Sequence, residues 1–320
     1  MGKVLFRAFK ILVSVGLLVF LIYKAGLSEI FLVAQSADIV MLLLALLVYS
    51  STIVLISWRW KLLLMSQQAA LPFGQVLSLY FIGFFFNNFL PTSIGGDIYR
   101  ALGAGQNSGK RAISAASVLV ERLLGMLAVA ALAILAVTLV VHQVADAYIR
   151  ALALGFGAVI VLLLILFFNR RTLKFLELLA RKVSLWGLGQ KLLRLYQALA
   201  LYQRQKGVLI LVFLISIAYQ LMIVIFSYLV GFSLDLGISL RYFMLCVPVT
   251  VIISLVPISI NGVGVRETGY VFLLSKIGHS GSEALTLSLL IYGLSLLASL
   301  VGGIFYLLKG AKSLGRLAHS

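Results

Sequence analysis

Residues 208–230 contain no charged side chain. At about 1.5 Å of rise per residue, such a run is long enough as a helix to cross the roughly 30 Å hydrocarbon core of a bilayer. Similar runs end at Tyr23 and occupy 39–57, 151–168 and 284–308, and 114–141 is long enough to span with tilt but carries Glu121-Arg122 inside it. A chain of this kind can satisfy its backbone in lipid only as helices or a closed barrel, and runs of this length select helices. The composition agrees, since 62% of residues are hydrophobic and 11% charged. The reading is an all-α integral membrane protein.

Two stretches break this pattern. Residues 87–100 read NNFLPTSIGGDIYR and residues 256–267 read VPISINGVGVRE. Aligned on proline, they share Pro91/Pro257, Ser93/Ser259, Ile94/Ile260, Gly96/Gly262 and Arg100/Arg266. One motif occurs twice. The four prolines of the chain, Pro72, Pro91, Pro248 and Pro257, all fall in or beside these regions, so helix interruption is confined to them.

Charge sets the expected topology. Most of the 26 Lys and Arg residues flank the apolar runs on one side if the N-terminus is cytoplasmic, as the positive-inside rule requires. Lys3, Arg7 and Lys10 precede the first run, and Trp58-Arg59-Trp60-Lys61 reads as an aromatic and basic anchor in the cytoplasmic headgroup layer. The segment 169–206 carries nine basic residues against the lone acid Glu177, with an apolar stripe at helical spacing. It reads as an interfacial helix or a solvated connector. For this segment to remain cytoplasmic, residues 72–109 must enter and leave on the same side. The second hairpin, 242–275, then enters from the opposite side. The expected architecture is roughly six full transmembrane helices plus two re-entrant helical hairpins in an inverted-repeat arrangement. Its halves are 1–168 and 207–320, joined by 169–206.

Non-helical backbone at membrane depth survives only where protein or water satisfies it. Gly95-Gly96 and Asn261-Gly262 supply permissive turns, and amides at the start of the following helix carry partial positive charge. Arg100 and Arg266 add full charges. The candidate headgroup site is therefore Asn87, Asn88, Ser93, Gly95, Gly96 and Arg100 with Ser259, Asn261, Gly262, Gly264 and Arg266, and it suits a phosphate-sized anion. The alternative is that the breaks only let helices cross closely while the arginines snorkel. Asp97, Glu121, Arg122 and Glu267 form a candidate gating set, since unpaired charges at helix centres are costly. Neighbours on a helix point apart, so Glu121 is expected to meet Arg266 or Arg100, and Arg122 to meet Glu267 or Asp97, tying the halves together. The run Tyr80-Phe81 and Phe84-Phe85-Phe86 lines either an acyl-chain route or the lipid face.

A net charge of +17 reflects these loops rather than nucleic acid, because no groove with exposed aromatics accompanies it. The single Cys246 and three dispersed histidines imply no disulfide and no metal site. No nucleotide motif or cofactor site is present in the pattern.

The segments 87–101, 118–125 (VLVERLLG) and 256–267 together resemble the flippase-like family named for the transmembrane region of lysylphosphatidylglycerol synthases. That resemblance implies movement of aminoacylated or other anionic phospholipids, or of polyprenyl-linked lipids, between leaflets of a prokaryotic cytoplasmic (inner) membrane, in which the charge pattern places both termini on the cytoplasmic side. Membrane lipids are then the expected partners, with a second copy or a lipid-synthesis enzyme as further candidates. Because the sequence stops soon after its last apolar run, aminoacyl transfer is not expected. Two alternatives stand beside this: an intramembrane transferase, or partner subunit of one, in lipid-linked glycan synthesis, and a non-transporting scaffold.

Overall fold

The computed structural model describes residues 2–89, 94–140, 147–168, 188–255 and 258–318, which form helices and no strand. In chain order these are α1 (Gly2–Ala25), α2 (Leu27–Gln35), α3 (Ile39–Ser66), α4 (Phe73–Phe89), α5 (Gly95–Ser108), α6 (Arg111–Val140), α7 (Ala147–Phe168), α8 (Leu188–Tyr202), α9 (Lys206–Ser233), α10 (Leu240–Ser254), α11 (Val265–Ser275) and α12 (Gly281–Ala318). Four of them, α3, α6, α9 and α12, are long and apolar enough to cross a membrane. The chain is an all-helical multi-pass membrane protein.

Local chemistry explains the boundaries. Asp38 caps α3 by accepting from the Val40 and Met41 amides at 2.8 and 3.3 Å. Gly26, at φ 83°, ends α1 and turns the chain by 79° into α2. The apolar pattern did not announce α2, which lies between the first two expected spans. Of the basic junction, residues 169–187 lie outside the described residues, while α8 packs on α6.

Three contacts gather one end of the bundle. The Lys110 ammonium donates to the Gln67 carbonyl at 3.2 Å, the Tyr202 hydroxyl donates to the Leu63 carbonyl at 3.1 Å, and the Lys61 ammonium sits 5.8 Å from the Phe73 ring centroid. The end of α3, the starts of α4, α6 and α9 and the end of α5 therefore share this basic end. At the far end, the Tyr242 hydroxyl near the start of α10 donates to the Leu273 carbonyl near the end of α11. The pairs α4–α5 and α10–α11 are thus helical hairpins that point toward each other. Their tips meet where Asn261 Nδ2 donates to the Asn87 carbonyl at 2.7 Å.

Glycine lets the first hairpin close. A Cβ on Gly96 would stand 1.8 Å from the Gly83 carbonyl oxygen, and one on Gly302 would stand 2.0 Å from that of Phe81. Helix α4 is therefore in backbone contact with α5 on one side and α12 on the other, the arrangement small residues permit in membranes. Of the aromatic run, Phe81 and Phe85 fall in this seam against Gly302 and Gly303, and Tyr80 is buried. Gly302→Val is expected to lower stability by about 1–3 kcal/mol or more through overpacking. Gly293→Ala, in open space on the same helix, should be neutral or stabilising. Thermal melts in detergent check both.

Candidate functional site

The buried face of α3 repeats as Thr52, Ile53, Ile56, Ser57, Arg59, Trp60, Leu63 and Leu64. This stripe carries Arg59 and Trp60 inward while Trp58 stays exposed. The anchor expected at 58–61 is therefore corrected, because helical periodicity puts its middle two residues in the protein. Trp60 Nε1 donates to Ser117 Oγ at 2.9 Å, and Arg59 reaches Glu121. At about 1.5 Å per residue, Arg59 lies about 10 Å, and Glu121 and Ser216 about 15 Å, in from the basic end.

Glu121 is 2% exposed and has both oxygens filled. Oε1 accepts from Arg59 Nη2 at 2.8 Å and from the Tyr80 hydroxyl at 3.0 Å, while Oε2 accepts from Arg100 Nη1 at 3.0 Å. Arg100 Nη2 continues to Asp97 Oδ1 at 2.7 Å, and Asp97 Oδ2 accepts from Arg122 Nε. The result is an alternating chain, Arg59–Glu121–Arg100–Asp97–Arg122. The Arg100 guanidinium also lies 4.0 Å from the Tyr80 ring centroid and 4.9 Å from that of Trp60. Of the partners open from sequence, Glu121 takes Arg100 and Arg122 takes Asp97. These ion pairs stay within the first half, so they do not join the halves. The bond from Arg59 Nη1 to Ser216 Oγ at 2.9 Å and the tip contact at Asn261 do.

The second copy of the motif is built differently. Asn261, Gly262 and Gly264 have φ of 51°, 75° and 83°, which keeps the chain out of helix until Val265. Arg266 is consequently near the start of α11, whereas Arg100 lies a turn deeper in α5. Arg266 Nε donates to Glu267 Oε1 at 3.1 Å, and the guanidinium lies 4.2 Å from the Tyr292 ring centroid. Adjacent residues do pair here, because Glu267 folds back to accept from the Gly264 amide at 2.6 Å. Helix α1 covers this loop, with Ser14 Oγ accepting from the Ile260 amide at 2.8 Å and Leu17 against Gly264.

Two of the amides expected to face an anion are already bonded within the protein. The Gly96 amide is taken by Asn87 Oδ1 at 2.8 Å and the Gly264 amide by Glu267, so both serve the turns rather than an anion. Gly95 opens α5, and Gly262 faces a cavity. Ser93, with Pro91 and Pro257, lies outside the described residues.

Two cavities adjoin the motifs. The near cavity, about 280 Å³, is lined by the Arg59–Glu121–Arg100–Asp97–Arg122 chain and by Gln220. The far cavity, about 460 Å³, is lined by Arg122, Arg266, Asn261, Ser259 and hydroxyl side chains including Tyr49, Tyr219 and Tyr292. Asn87, Arg122, Tyr219, Val251 and Leu255 belong to both walls. Ser227 and Tyr49 place the far cavity about 25–30 Å from the basic end, so the two are stacked along the bundle. Ser259, 7% exposed, and the buried Asn88 Nδ2 have no hydrogen-bond partner. Among the described residues, no cluster of His, Cys, Asp and Glu has a metal-binding arrangement.

The sequence profile of the Lysylphosphatidylglycerol synthase TM region matches residues 7–303. The chain belongs to this family. A UPF0104 membrane protein from Pyrococcus horikoshii is 28% identical over 161 residues, which are 49% of this chain and 47% of that protein. The chain thus spans about half the length of the curated relative it matches.

In this member of the lysylphosphatidylglycerol synthase TM family, the ion chain makes a direct stability prediction. Glu121→Gln leaves Arg59 and Arg100 without their shared counter-charge and is expected to cost about 3–5 kcal/mol. Arg59→Met should cost a comparable amount, and the double Arg59→Met, Glu121→Met variant less than the sum of its single changes, by about 0.5–3 kcal/mol. Unfolding in mixed micelles measures the cycle. Additive effects would show that Arg59 and Glu121 do not act as a pair.

Proposed function

We propose that this chain moves lipids between leaflets, with the headgroup passing from one cavity to the other while the acyl or prenyl chains stay in the bilayer. The observation that carries this reading is the pair of stacked polar cavities, separated by the tip contact between Asn87 and Asn261. Polar cavities at membrane depth between opposed broken helices are how transporters with inverted repeats hold substrate. An apolar groove of about 290 Å³ supports the route for the tails. It runs between α5 and α6 along Ile94, Ile98, Val118 and Leu119, and its floor is Asp97 and Arg122. Arg122 thus borders the groove and both cavities.

In this reading α4–α5 and α10–α11 are re-entrant hairpins within roughly six full spans, arranged as inverted halves 1–168 and 207–320. The basic end faces the cytoplasm in a prokaryotic inner membrane, with both termini there. Asp97 and Glu267 hold Arg122 and Arg266 when the site is empty, and an anionic headgroup competes for the same guanidiniums. That competition provides two states to alternate between, since a ligand shifts an equilibrium only by binding its states differently.

Reconstituted protein with a fluorescent anionic phospholipid tests the proposal through dithionite quenching of the outer leaflet. Wild type is expected to equilibrate the probe faster than protein-free vesicles. Arg266→Ala should slow it about tenfold or more, the loss of one charge-assisted hydrogen bond. Equal rates in wild type and the Arg100→Ala, Arg266→Ala double variant, both folded, would falsify it and favour a scaffold.

A further inference from the structure

We infer that the headgroup this site accepts carries one net negative charge, as a single phosphodiester joined to a hydroxyl-bearing group, and that a lysyl-esterified headgroup is excluded. The inference rests on the lipid reading above and narrows it to a substrate class other than the lysyl lipid in the family's name.

The first ground is charge. The guanidiniums of Arg59, Arg100, Arg122 and Arg266 face the carboxylates of Asp97, Glu121 and Glu267. Among these described groups one positive charge is left over. A phosphodiester, at one negative charge, neutralises it. A lysyl ester adds two ammonium groups to that phosphodiester and would raise the local positive charge instead. Like charges brought together away from water repel strongly, because little solvent is left to screen them.

The second ground is which polar atoms the far cavity offers. Its lining contains no carboxylate, so an ammonium entering it meets Arg122 and Arg266 with no anionic acceptor. Ser227, Ser254 and Ser295 already donate their protons to the carbonyls of Ile223, Thr250 and Tyr292. Their oxygens are left as neutral acceptors, Ser295 and Ser227 also facing the Tyr49 and Tyr270 hydroxyls. They can take the hydroxyl donors of a glycerol, inositol or sugar but supply no counter-charge to an ammonium. Ser259 is buried with its hydroxyl unpartnered, and beside Arg266 it offers a donor to a phosphate oxygen. A buried donor without a partner is costly, and a ligand oxygen relieves that cost.

Native mass spectrometry of the purified full chain, with lipids offered in pairwise competition, tests this. The probes are phosphatidylglycerol, phosphatidylinositol, a polyprenyl-phosphate hexose and lysyl-phosphatidylglycerol. Each of the first three is expected to outcompete the lysyl lipid by at least about tenfold. The preference should shrink in Ser259→Ala and in Arg266→Ala. Whether the glycerolipids or the polyprenyl lipid bind best identifies the tail, and either result supports the inference. Ser295→Asp, which puts a carboxylate into the cavity wall, should shift the competition toward the lysyl lipid. Retention of lysyl-phosphatidylglycerol equal to or above the others, and lost in Arg266→Ala, overturns the inference while leaving lipid handling intact. Retention that ignores headgroup and all three variants removes the lipid site itself, and the inference with it.

Discussion

Glu121 is the interaction on which the rest of this structure depends. A carboxylate 2% exposed within a spanning helix is sustained only because two guanidiniums and a tyrosine hydroxyl fill its lone pairs. Those partners come from α3, α4 and α5, so pairing one charge fixes three other elements against α6. Arg59 also reaches Ser216 on α9, which extends the same network into the second half. Desolvation makes its inner part sensitive to any single loss, since removing Arg59, Glu121 or Arg100 strands a buried charge, whereas Arg122 at the outer end is partly exposed. A site of this kind holds its geometry without ligand and leaves its outermost member, Arg122, to face the cavities.

Glycine supplies the second constraint. Backbone contact at Gly83–Gly96 and Phe81–Gly302 wedges α4 between α5 and α12, and that places Asn87 at the tip where Asn261 finds it. The left-handed residues Asn261, Gly262 and Gly264 delay the start of α11 by about one turn relative to α5. The two motif copies are therefore equivalent in sequence and unequal in structure. In the first, arginine is sealed into an ion chain. In the second, it opens onto the larger cavity.

Much of this was legible from the residues. Long apolar runs marked the four long helices, the one in α6 with Glu121 and Arg122 inside it, and the doubled proline-glycine motif marked both hairpin tips. The cost of an unpaired charge narrowed the partners of Glu121 and Arg122 to two each, and one of each pair is observed. Arg59 was missed because Trp-Arg-Trp-Lys was read as a local anchor, although the α3 stripe through Ile53, Ile56 and Trp60 already placed it inward. The amides of Gly96 and Gly264 were assigned to a ligand because nothing in the sequence says which side chain folds back onto them. The kink at Gly26 and the cover that α1 forms over the second motif are tertiary packing, to which hydrophobic periodicity is blind.

Lipid movement as proposed requires that the two stacked cavities, which meet at the tip contact, open toward opposite faces. Thiol labelling from each side tests it most directly, in a Cys246→Ala background that removes the single native cysteine. Met126→Cys lies on the near cavity and Ser295→Cys on the far one. The account predicts that an impermeant reagent modifies Met126→Cys only from the basic face and Ser295→Cys only from the opposite face. Labelling of both positions from the same face, with the bilayer sealed, would contradict it.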